Sequence, residues 1–201
     1  MVLLILSKNT IMLKNIFLVA FISVLFIQCD EEKNSFLISN TAVGKLSKGM
    51  KIKEVDSIFA SDSIVRLNSR NDELPTQGEV EIFEKNGTKL LSISPRFNND
   101  PNALISSFQF FDARYQTDKG LNLNSTFKDI KANYTISKIE TTIFTVVIFL
   151  EESDIFINID KKELPENFRY NPNLVIDITN IPDEAKIKYF MLSWEMDELN
   201  E

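Results

Sequence analysis

Cys29 is the single cysteine of this 201-residue chain, and it closes an apolar run of twelve residues, Ile16 to Ile27, separated from it only by Gln28. As a helix, twelve residues span about 18 Å, well short of the roughly 30 Å hydrocarbon core of a bilayer. The run instead has the length of the apolar segment of a secretory signal, with Met12-Leu13-Lys14-Asn15 as its positive opening. Residues 1–11 add another apolar stretch ahead of it, which leaves both Met1 and Met12 open as the true start. Fold reasoning therefore begins after Cys29, on a chain with no second cysteine and so no disulfide.

A lysine, a short apolar core and then a cysteine at the polar boundary resemble a bacterial lipoprotein signal. The resemblance implies a signal peptide over residues 1–28, acylation of Cys29 and anchoring to the lipid bilayer. Gln28 departs from the small residue usual before such a cysteine. Looser versions, with acidic residues such as Asp30-Glu31-Glu32 directly after the cysteine, are similar to the exported lipoproteins of Bacteroidetes-type bacteria. The expected location is the outer membrane, facing the periplasm or the cell surface. Residues 29–35 are polar and read as a tether between lipid and domain.

Lys8 and Lys14 are the only charged residues ahead of Cys29, so the remainder carries 20 basic and 29 acidic side chains, net −9. That balance argues against nucleic acid or an anionic membrane surface as a partner, since either repels it. Histidine is absent, and with Cys29 acylated no thiol remains as nucleophile or metal ligand. A Ser-His-Asp or Cys-His arrangement is thus impossible, and no phosphate loop, dinucleotide fingerprint or EF-hand loop is present. The reading is a non-enzyme without cofactor or metal. Sixteen phenylalanines against five glycines point to a core packed with aromatic rings.

After the tether the sequence says the same thing twice. Ile52, Val55, Ile58 and Phe59 lie on one face of a helix over Lys51–Phe59. Phe127, Ile130 and Tyr134 repeat that face at an offset of 75 residues, over Thr126–Tyr134. Thr126-x-x-Asp129 reads as a capping box. Lys51 occupies the matching position in the first helix and cannot accept a backbone N–H, which predicts a weaker start. Strands are predicted at Ser63–Asn68, Gly78–Lys85, Lys89–Pro95, Leu104–Tyr115, Thr135–Thr142, Phe144–Glu151, Ile155–Asp160 and Ala185–Trp194. Asn86-Gly87 is a hairpin turn signal. Pro165, Pro172 and Pro182 mark an insertion from Lys161 to Asp183, with Leu174–Thr179 as a further short strand.

Lys48-Gly49-Met50 with Glu54-Val55 and Phe59, then Lys119-Gly120-Leu121 with Ile130 and Tyr134, resemble the small-lipoprotein module of the outer-membrane barrel-assembly machinery (the SmpA/OmlA type). The same topology occurs in tandem in the β-lactamase inhibitor protein. The resemblance implies a habit of binding proteins and no catalytic residues. The fold expected is α+β: two repeats, 36–115 and 116–198, each a short helix followed by an antiparallel meander, with helices packed on one sheet face.

The acidic clusters Asp72-Glu73, Glu151-Glu152-Asp154 and Asp183-Glu184 fall at expected turns and read as solvated charge. Two aromatic clusters have more to offer. Phe108 and Phe110 share one face of their strand while Phe111 and Tyr115 take the other; Phe190, Leu192 and Trp194 share a face of the last. Either these faces are all core, or one forms an aromatic strip for an unknown protein partner, with Phe111, Tyr115 and Trp194 as anchors. Carbohydrate or small-ligand binding by the same rings is the alternative. Asp62-Ser63-Ile64 resembles the acceptor of Bacteroidetes O-glycosylation, which makes Ser63 a candidate modification site; Asp56-Ser57-Ile58 matches too, but within a helix.

Overall fold

The structure is a computed structural model that describes residues 35–67, 78–97, 100–169 and 174–194. The signal, Cys29, almost all of the tether and Asp72-Glu73 lie outside the described residues. From Phe36 onward the chain forms one compact unit.

Three two-residue strands open it: β1 (Leu37–Ile38), β2 (Ala42–Val43) and β3 (Leu46–Ser47). A 3-10 turn at Ile52–Glu54 runs into α1 (Val55–Ile58). A meander follows, of β4 (Ser63–Leu67), β5 (Glu79–Phe83), β6 (Lys89–Pro95) and β7 (Ile105–Phe110). After β8 (Gln116–Thr117) and α2 (Phe127–Asn133) comes a second, of β9 (Ile136–Thr141), β10 (Thr145–Leu150), β11 (Ile155–Asp160) and β12 (Ile187–Ser193). Between β11 and β12 stand a 3-10 turn at Lys161–Glu163, α3 (Glu166–Arg169) and a 3-10 turn at Ile178–Asn180. Leu174–Thr179 is therefore not a strand: Asp177 caps the turn instead, its carboxylate accepting the N–H of Thr179 at 2.7 Å.

The expectation of an α+β chain of two helix-plus-sheet repeats is corrected here. The protein is mostly β, one eight-stranded antiparallel sheet in the order β4-β5-β6-β7-β12-β11-β10-β9, with a four-stranded sheet β3-β2-β1-β8. The helices are only four and seven residues long and do not define separate layers for each half. The physical reason is at the centre, where β7 and β12 would each be an edge with unpaired backbone groups. They pair with each other instead, Phe110 opposite Phe190 and Phe108 opposite Leu192. The small sheet escapes sequence reading because two-residue strands carry no alternation. Its parallel pairing of β1 with β8 sets Leu37 beside Gln116, across the boundary expected between the halves.

One face of the large sheet is buried. Val80, Ile82, Leu91, Ile93, Phe108, Phe110, Phe190, Leu192, Ile157 and Ile148 stand on it and share a single core with Ile52, Val55, Phe127 and Ile130. The Asn86-Gly87 turn is as read: Gly87 has φ +89, a conformation open to glycine, and the N–H of Thr88 reaches the Asn86 side chain at 2.8 Å.

The two helix starts differ less than their sequences imply. Glu54 accepts the backbone N–H of Lys51 at 2.7 Å, and Asp129 accepts that of Thr126 at the same 2.7 Å. The Thr126 hydroxyl donates to Asp129 rather than accepting from the helix, at 2.9 Å. These bonds to the charged carboxylate, the backbone one foremost, hold Asp129 below the usual aspartate range.

Val55→Ala and Ile130→Ala each remove fully buried methyl groups and should each cost about 1–4 kcal/mol in urea unfolding. NMR titration of Asp129 should give a midpoint below that of an unstructured aspartate. Since the folded-state pKa is the lower one, this contribution is present above the unfolded value and fades as pH falls through the folded one. Asp129→Asn should flatten that part of the acid limb.

Candidate functional site

Strand register places one cross-strand row along the uncovered face of the large sheet. It runs Val65, Glu81, Ser92, Gln109, Met191, Phe156, Phe149 and Lys138, one residue from each strand. The first half of the row is polar except for Val65. Glu81 takes an ion pair from Lys89, and Ser92 donates to Glu79 on the neighbouring strand. The second half is apolar and half-exposed: Met191, Phe156 and Phe149, with Tyr189 beside them at 39% exposure.

Phe149 and Phe156 face each other directly across β10 and β11, ring centroids 6.0 Å apart and nearly parallel. Such a cross-strand aromatic pair stabilises the sheet locally and leaves one ring face outward. In the adjacent row Tyr189, Asn158, Val147 and Glu140 lie opposite one another. Asn158 is buried there and bonded, its carbonyl accepting from the Thr145 hydroxyl at 3.3 Å. Cations border the rings. Lys138 lies 6.0 Å from the Phe149 centroid and pairs with Glu140; Lys188 lies 5.3 Å from that of Tyr189 and donates to Asp160 at 2.8 Å. Asp160 is held below the usual aspartate range first by the backbone N–H of Lys162 and then by Lys188. An apolar centre with a paired, charged border has the composition of a recognition patch.

Two of the three anchors read from sequence are corrected. Tyr115 is 2% exposed and packs between Phe36, at 5.0 Å, and Phe110, at 5.4 Å. The chain leaves β7 after Phe110, so strand alternation no longer governs Tyr115, and its ring turns back onto the core. Burial pushes its phenol well above the usual tyrosine range. Trp194 is 5% exposed and stands edge-on to Phe108 at 4.8 Å, on the covered face with Leu192. Phe111 is half-buried, with the Lys89 ammonium 3.8 Å above its ring, so a cation already takes its outer face.

Ser63 is exposed at the start of β4, the edge strand, and pairs with Phe83. Ser57 sits inside α1, its hydroxyl donating to the Glu54 carbonyl at 2.7 Å. Phe149 and Phe156 escaped the sequence reading because they lie in the apolar runs Val146–Leu150 and Ile155–Ile157. Such runs read as strands buried on both faces. Among the described residues, no three His, Cys, Asp or Glu side chains converge on a metal-sized site.

A second feature lies at one end of the sheet. The tip joining β9 to β10 raises Ile143 and Phe144 over a cleft of about 850 Å³, also lined by Thr142, Lys161, Lys162 and Arg169.

No family model matches the sequence, and no curated protein does. The crystal structure of the uncharacterized protein yfeY from Escherichia coli is similar in fold, with a TM-score of 0.51 at 15% identity. The likeness covers 78% of this chain and 98% of that one. It is a likeness of fold alone and carries no activity with it. The tandem barrel-assembly resemblance finds no match among family models.

Tyr115→Ala should cost about 3–5 kcal/mol in thermal or urea unfolding, as buried aromatic truncations do. Tyr189→Ala, on the open face, should cost under about 1 kcal/mol. Equal costs at the two positions would overturn the assignment of faces.

Proposed function

We propose that this chain is an envelope lipoprotein, anchored in the bilayer through acylated Cys29, that acts by binding another protein rather than by catalysis. The observation that carries the reading is the half-exposed cluster of Phe149, Phe156, Met191 and Tyr189 on the open sheet face, bordered by Lys138–Glu140 and Lys188–Asp160. Rigid aromatic side chains on a sheet present large contact area at little entropic cost, which is why they dominate protein interfaces. The net charge of −9 from Cys29 onward favours a partner whose contact rim is basic. Anchoring confines both partners to one surface and raises their effective concentration. The apolar run ending at Cys29, with acidic residues after it, supports the anchor and a location in the outer membrane, periplasmic or surface-exposed.

Affinity capture of the tagged protein from membranes, followed by mass spectrometry, tests the reading. A specific protein should be recovered by the wild type and lost by Phe156→Ser combined with Tyr189→Ser, since truncating interface anchors costs about 2 kcal/mol or more each. Cys29→Ser should abolish labelling by an alkyne fatty acid and shift the protein out of the membrane fraction. Capture that survives the double substitution overturns the assignment of the face. A glycan-array ligand with no protein partner would replace it with a carbohydrate-binding one.

A further inference from the structure

The cleft at the β9–β10 tip carries an inference separate from the open face. Ile143 and Phe144 are adjacent and 80% and 72% exposed, although each is a residue that folding ordinarily covers. The tip is held, not loose. Thr142 and Thr145 bond each other through side chain and backbone, and the Phe144 carbonyl accepts the N–H of Lys161 at 2.9 Å. Three cations line the cleft below them: Lys161, Lys162 and Arg169. The one acid there, Asp160, is bonded to Lys188 at 2.8 Å, so the lining is positive although the domain as a whole is acidic.

Lys161 is the second observation. Its stem is buried, so that the residue is only 8% exposed, while its ammonium stays at the solvent edge of the cleft. Arg169 is fixed through its Nε, which donates to the Leu164 carbonyl at 2.7 Å, and that leaves its terminal nitrogens for a ligand.

We propose that this end of the sheet docks on an anionic lipid bilayer, with Ile143 and Phe144 entering the headgroup–acyl boundary and Lys161, Lys162 and Arg169 receiving a lipid phosphate. Apolar side chains next to cations are the combination that holds a surface segment in the interface. The net negative charge of the domain does not oppose it, because screening over about 8 Å at physiological ionic strength leaves the local charges in control. The proposal rests neither on the open-face partner nor on acylation.

The test uses the chain from residue 29 onward with Cys29→Ser, which retains the compact unit beginning at Phe36 and removes acyl anchoring. Vesicle flotation compares phosphatidylcholine alone with phosphatidylcholine containing a fifth part phosphatidylglycerol. Binding should require phosphatidylglycerol and weaken with salt. Ile143→Ser with Phe144→Ser should lower it about tenfold or more while leaving the melting curve unchanged, since both side chains are exposed. Lys162→Gln, also exposed, should lower it about fivefold. Flotation equal on both vesicle types, or unaffected by the tip substitutions, overturns the proposal. Complete displacement by millimolar inorganic phosphate also overturns it, in favour of a free-anion site.

Discussion

The pairing of β7 with β12 is the constraint on which the rest depends. Phe110 opposes Phe190, their rings 5.2 Å apart, and Phe108 opposes Leu192 with Trp194 closing edge-on. This seam converts two four-stranded meanders into one sheet and abolishes two edges at once. It also unites the core, because helices from both ends of the chain pack into the same buried layer as the seam. In a chain without disulfides, that layer supplies most of the driving force for folding.

Committing the large rings Phe108, Phe110, Phe190, Trp194 and Tyr115 to the covered face leaves the other face with what remains. Over β4 to β7 the remainder is mostly polar, Glu81, Ser92, Ser94, Ser107 and Gln109, with Val65 among them. Over β9 to β12 it is Val147, Phe149, Phe156, Tyr189 and Met191. The sheet is continuous but its outer surface is divided, and the division follows the seam. Any partner that reads the apolar half does so on a rigid surface, since every position on it is held by ladder bonds on at least one side. The β9–β10 tip lies at the end of the sheet and is shaped by different residues from those of the open face.

The local structure was legible in the sequence. Strand positions followed from period-two alternation, the Asn86-Gly87 turn from its residue types, and both helices from the spacing of Ile52, Val55 and Phe127, Ile130. All of these are set within ten residues, where propensity and periodicity act. The helix starts were half legible. Asp129 and Glu54 fold back onto the preceding N–H as their spacing predicts, whereas the Thr126 hydroxyl turns to Asp129 instead of the backbone.

What the sequence by itself determined was the strands of the large sheet, the helices around Val55 and Ile130, and the aromatic character of the core. What only the tertiary structure decided was which strands became neighbours, and hence which rings were covered. Tyr115 read as a surface anchor because alternation assigns faces only within a strand; it lies past the end of β7, where packing against Phe36 and Phe110 sets the chain direction. Trp194 keeps to the face of Phe190 and Leu192, and what alternation could not tell is that this face is the covered one. Phe149 and Phe156 go unmarked in the sequence because the apolar residues around them give no sign of which face stays wet. That sign comes from long-range pairing, the one quantity that local periodicity does not encode.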